Sequence, residues 1–189
     1  MTADGLEPGE VRTGAAYEAE RAGSRARLAQ TAPGRRVSLG AELVLVFESR
    51  ERVRASLEEL LRAERVSDQQ RIDAETAAFA DVLPGDHELA ATLYMDIADP
   101  AALADRLAEL GDLGTAVSLD LDGDRVGGRS DGAESGGGGW HLLFAFDDAQ
   151  RRVLLDGGPV AVVVDHPRLR ARAVLDVEQV RAVTADLRR

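Results

Sequence analysis

The chain contains no cysteine, no lysine and no asparagine among its 189 residues. Without cysteine there are no disulfides, thiol nucleophiles, zinc–thiolate sites or iron–sulfur ligands, so redox chemistry would need a borrowed cofactor. Without lysine, Schiff-base catalysis and a lysine-bearing phosphate loop are excluded, which removes pyridoxal and P-loop enzymes. All 23 basic residues are therefore arginine, and isoleucine occurs only at Ile72 and Ile97, a bias that fits GC-rich coding. Long apolar runs are missing too: nothing approaches the roughly eighteen uninterrupted residues of a spanning helix, and Met1–Glu10 lacks the apolar segment of an export signal. A cytoplasmic protein without membrane contact is expected. The net charge is −11, with acids and arginines interleaved. Such a chain offers no broad positive field for a phosphate backbone, so nucleic acid is not an expected partner.

What is present reads as one domain. Residues 1–14 have few large apolar groups to offset ordering entropy and are expected to be a disordered tail, with a single globular domain over 15–189. A helix is predicted over Ala15–Gln30, with Tyr17, Arg21, Arg25 and Leu28 near one face, ended by Pro33-Gly34. An extended segment, Arg36–Phe47, is apolar on both faces and so belongs in the centre of a sheet. Ser49–Val66 carries Val53, Leu57, Leu60 and Leu61 at helical spacing, and Ser67 with Gln70 restarts a helix that Pro84-Gly85 stops. Leu89–Ile97 is a strand, and Asp99-Pro100 opens a helix closed by Gly111.

Asp122-Gly123 sits between two apolar stretches as a hairpin turn. Asp120-x-Asp122-Gly123-Asp124 resembles the opening of a calcium loop, but Arg125 stands where such a loop needs glycine, so the hairpin reading prevails. Seven glycines in 127–139 mark a flexible loop; it has neither the lysine nor the helix of a nucleotide site. Trp140, Leu142, Phe144 and Phe146 alternate with His141 on the other face of a strand. Val160–Val164 and Ala171–Leu175 are further strands, and Asp176 caps a last helix. The expected class is α+β, a mainly antiparallel sheet with helices packed on one side; a curled half-barrel is the alternative sheet form.

Motif by motif, in chain order, the sequence resembles a known family. Tyr17-x3-Arg21-x3-Arg25, Arg35-Arg36-Val37-x2-Gly40, Phe47-Glu48-x-Arg50-Glu51 and Leu61-Arg62-Ala63-Glu64-Arg65 come first. Leu89-Ala90-Ala91-Thr92-Leu93, the His141 strand and Asp165-His166-Pro167 follow. Over about residues 15–185 they resemble the uncharacterised bacterial family called domain of unknown function 3501. The resemblance implies a redox or oxidative-stress setting, with a rubrerythrin-like or iron–sulfur protein as partner. Ser56 and Glu58 depart from the pattern, since relatives tend to carry glutamines on that helix.

No strong catalytic motif is present, and the leading expectation is a non-catalytic binding or accessory protein in that redox setting. A second reading is a metal-binding protein or metal-dependent enzyme. It would use His141 and His166 with Glu48, Glu51 or Glu64, a mixed nitrogen and oxygen set suited to zinc, iron or manganese. No pair of histidines has the spacing of helical ligands, and no cofactor is evident from sequence alone. Glu64 enters this set because it lies on an apolar stripe, where an ionised carboxylate needs a partner or a shifted pKa. A third reading is a small-anion sensor built on Arg21, Arg25, Arg36 and Arg50.

Overall fold

In the computed structural model, residues 6–80, 82–85, 87–130 and 139–188 are described. Parts of the expected tail (1–5) and glycine loop (131–138) lie outside them. The chain divides into two compact units, Met1–Pro33 with Glu48–Gly85 and Gly34–Phe47 with Asp86–Arg189.

The first unit is helical. A short 3-10 turn at Pro8–Glu10 leads into α1 (Gly14–Thr31); α2 (Arg50–Ala63) and α3 (Gln69–Ala80) follow. Ser49 starts α2 by accepting a hydrogen bond from the Arg52 amide at 3.3 Å, which satisfies one of the donors a helix start leaves unpaired. Leu57 and Leu61 of α2 pack with Ile72 of α3 and with Leu6 and Val11. Leu6 and Val11 thus anchor the described part, 6–14, of a segment whose composition reads as a tail. A charge reinforces the anchor. The Glu58 side chain is wholly buried and accepts from the Arg12 amide (3.0 Å), Nε (2.9 Å) and Nη2 (2.9 Å).

The second unit holds two four-stranded antiparallel sheets among its described residues. The segment expected as one strand over Arg36–Phe47 is a hairpin, because Gly40 takes a φ of +68° and reverses the chain. β1 (Arg36–Leu39) therefore pairs with β2 (Leu43–Phe47), Arg36 opposite Val46. β2 is fully buried, as its two apolar faces require, and lies between β1 and β3 (Glu88–Met95). β6 (Gly139–Ala145) completes this sheet beside β3, with His141 opposite Thr92. In the other sheet β4 (Val117–Leu121) turns into β5 (Asp124–Gly127) through Asp122 and Gly123, whose φ values of 54° and 97° give the tight hairpin that the sequence predicts. β7 (Val160–His166) pairs with β4, and β8 (Leu169–Val174) with β7.

The two sheets meet along their margins. Arg129, just past β5, exchanges backbone hydrogen bonds of 2.8 and 2.9 Å with Leu143 of β6, and β1 lies against β8. The unit is accordingly α+β with a curled, barrel-like pair of sheets. Trp140, Leu142 and Phe144 fill its core with Leu45, Leu93, Leu119 and Val162. Among the described residues three helices flank it: α4 (Pro100–Leu110), α5 (Asp148–Leu155) and α6 (Val177–Thr184). Asp99 and Asp176 cap α4 and α6 at the expected positions. α5 is an addition to the sequence reading, started by a reciprocal Asp147–Gln150 capping box.

Candidate functional site

Helical spacing, in the first signature motif on α1 and across α2, places a set of polar side chains on facing stripes of the two helices. From α1 come Tyr17, Arg21, Ser24, Arg25 and Leu28, and from α2 come Arg52, Ala55, Ser56 and Glu59; together they line a cleft of about 430 Å³. Positions three and four apart share one helix face, so the spacing itself builds the walls. Leu28 and Ala55 are the apolar part. Three guanidinium groups face one carboxylate, an excess of positive charge in a chain whose net charge is −11.

At the centre, Arg21 forks onto Glu59, Nε to Oε1 at 2.8 Å and Nη2 to Oε2 at 3.3 Å. The Tyr17 side chain, 2% exposed, lies beside this pair, and Glu59 acts on its phenol. These contacts shift all three groups. The Arg21 hydrogen bond holds the Glu59 carboxyl below its ordinary range, with Tyr17 helping. Burial, then Glu59, pushes the Tyr17 phenol up, and the bond to Glu59 raises the Arg21 guanidinium further.

Two features of the cleft are left open. The exposed Arg25 side chain makes no ion pair or hydrogen bond among the described residues. Ser24 is 1% exposed, and its Oγ has no hydrogen-bond partner among them. A buried hydroxyl without a partner costs about 1–3 kcal/mol, which a bound oxygen would recover. Arg52 spends one donor on Glu48 at 3.3 Å and keeps the others. By contrast, a basin on β7 and β8 lined by Arg125, Arg170 and Arg172 has its arginines matched to Asp165 and Asp120 at 3.0 to 3.9 Å.

The candidate residues named from sequence fall in different places. Arg21 and Arg25 share the cleft. Arg50 starts α2 and binds Glu10 at 2.6 Å, and Arg36 belongs to the other unit, paired with Asp96 at 3.3 Å. Ser24, Arg52 and Glu59 are members that sequence reasoning missed; the signal for the last two was the i, i+4, i+7 stripe of Arg52, Ser56 and Glu59. The metal candidates do not gather within either unit. Glu48 and Glu64 flank opposite ends of α2, whose 14 residues span about 21 Å. Glu64 is exposed and ion-paired with Arg71, so its apolar neighbours in sequence do not bury it. Glu51, the third carboxylate of that reading, bonds Arg27 at 3.2 Å. His141 sits in one sheet and His166 in the other, at a tight turn where its Nδ1 accepts the Arg168 amide at 3.2 Å. Among the described residues no three metal-ligating side chains stand together.

Fold and site define an α+β protein with an arginine-lined cleft in its helical unit. The chain belongs to the family described as protein of unknown function, DUF3501, whose model matches residues 6–187. It is similar to the crystal structure of a novel protein of unknown function from Burkholderia pseudomallei, at 27% identity and a TM-score of 0.89, over 96% of this chain and 98% of that one. No curated protein matches it. Among the described residues no helix is long and apolar enough to cross a membrane.

Proposed function

We propose that this protein is a non-catalytic binding protein whose ligand is a small oxyanion held in the α1–α2 cleft. The observation that carries the reading is the pairing there of two groups unsatisfied among the described residues: the Arg25 guanidinium, with no counter-ion, beside the buried Ser24 hydroxyl, with no partner. Planar guanidinium groups recognise carboxylate, sulfate and phosphate oxygens through charge-assisted hydrogen bonds, and several on adjacent helical turns converge on one anion. The volume lies within the range of small-molecule sites. The described lining holds no histidine or cysteine, its one carboxylate is engaged by Arg21, and binding fits this chemistry. An accessory role beside a redox partner accommodates this reading, with the bound anion as the signal.

Calorimetric titration with inorganic phosphate at low ionic strength tests it. The unmodified protein should bind one phosphate, and Arg25→Ala or Arg52→Ala should each weaken binding roughly tenfold or more while the thermal midpoint stays within a few degrees. Arg36→Ala, outside the cleft, should change nothing. Phosphate binding that is absent, or that is equally strong in all three variants, would sink the proposal.

A further inference from the structure

Resting on that reading, we infer that Glu59 is a built-in competitor that sets the specificity of the cleft: a ligand must displace its carboxylate from Arg21, which admits dianionic tetrahedral oxyanions and rejects monocarboxylates. The geometry points this way because the cleft already contains a solved carboxylate complex. Glu59 takes the fork of Arg21 at 2.8 and 3.3 Å, beside the buried Tyr17 side chain. A free monocarboxylate arriving at Arg21 would find the same fork filled by an identical group that is tethered one helix away.

Tethering makes that competition steep. A group held beside its partner by a short link acts at an effective concentration in the millimolar range or above. A monocarboxylate offers Arg21 nothing that Glu59 lacks. A tetrahedral dianion differs in charge and in shape. With four oxygens it can take the Arg21 fork and still reach Arg25, one helical turn away, Arg52 across the cleft, and the Ser24 hydroxyl. The displaced carboxylate has somewhere to go, because the Glu59 side chain is 36% exposed and can turn into water. Tyr17 cannot follow it. At 2% exposure the side chain stays in the floor, where its hydroxyl can donate to the incoming oxygen.

The probes are sulfate, which keeps its double charge near neutral pH, and acetate, titrated by calorimetry into the unmodified protein, Glu59→Gln and Arg25→Ala. Glu59→Gln keeps the shape of the side chain and removes its charge. The inference expects the unmodified protein to prefer sulfate over acetate by roughly tenfold or more, and Glu59→Gln to tighten acetate by at least about fivefold, narrowing that preference. Arg25→Ala should weaken sulfate binding. If Arg25→Ala weakens sulfate but Glu59→Gln leaves both affinities unchanged or lower, the competitor role is overturned and the anion-binding reading stands. If neither ion binds to any of the three proteins up to about 20 mM, both fall. A measurement on the unmodified protein covers the case in which Glu59→Gln misfolds. The Nε–H resonance of Arg21, assigned through Arg21→Lys, should move on adding sulfate; movement of Arg25 alone would overturn the exchange.

Discussion

Tyr17 shows how a single residue couples packing to the candidate site. Its ring is buried between helix faces beside the Glu59 carboxylate, and burial and that charge both favour the neutral phenol. A Tyr94→Phe variant leaves Tyr17 as the sole tyrosine, so its phenolate absorbance can be followed alone. We expect that transition above the ordinary tyrosine range, moving down in Glu59→Gln; an ordinary midpoint in both proteins would contradict the assignment. The sign for stability follows: the folded state holds this proton longer than the unfolded chain, so the contribution is present below the ordinary phenol range and is lost as pH rises through the elevated value. Glu59 behaves in the opposite way. Its lowered carboxyl contributes above the ordinary carboxylate range, and that contribution disappears as pH falls through the depressed value. Helical circular dichroism should therefore weaken on acidification below about pH 4, and Arg21→Ala should flatten that loss. Much of this was legible beforehand, since Tyr17, Arg21, Arg25 and Leu28 fall on one face by counting alone. The partners Arg52 and Glu59 were not, because which face of α2 meets α1 is decided by long-range packing.

At the scale of elements, local chemistry explains starts and stops well. Asp99-Pro100 and Gly111 bound α4, and Asp176 starts α6, because caps satisfy backbone groups within a few residues. Two elements were misjudged for physical reasons. The eight-residue α5 is too short for its apolar period to stand out, although Asp147 and Gln150 spell its capping box. The β1–β2 hairpin read as one strand because both arms are apolar and its single conformational clue is Gly40. The end of α2 shows a cost that sequence does not display. Arg65 takes a φ of 54°, while Val66 closes the helix with a 2.8 Å bond to the Leu61 carbonyl. This left-handed position favours glycine, so Arg65→Gly should raise stability by about 0.5–1 kcal/mol, seen as a higher denaturation midpoint. A lower midpoint would mean that the arginine side chain contributes more than its backbone costs.

Across the whole molecule, the two units carry unequal cores. The helical unit packs Leu6, Val11, Leu57, Leu61 and Ile72, whereas the sheets enclose a far larger apolar set that includes the sole tryptophan, Trp140. Local stability follows buried apolar contact, so the helical unit should open first. In a guanidinium titration, part of the far-ultraviolet helical signal should be lost before Trp140 emission shifts; superimposable curves would show one cooperative transition instead. The α+β class and antiparallel pairing could be read from alternating strands and hairpin turns. The closing of two sheet margins through Arg129 and Leu143 could not, because it depends on backbone pairing across distant segments. The bond between Arg12 and Glu58 has a practical side. Trimming the first twelve residues, as one might to shorten the chain for crystallisation, would strip three donors from a carboxylate sealed off from water and leave it Arg54 at 3.9 Å. Stranding a buried charge costs about 3–5 kcal/mol. The shortened protein should melt well below the full chain, and Glu58→Gln, which removes the stranded charge, should recover part of the loss.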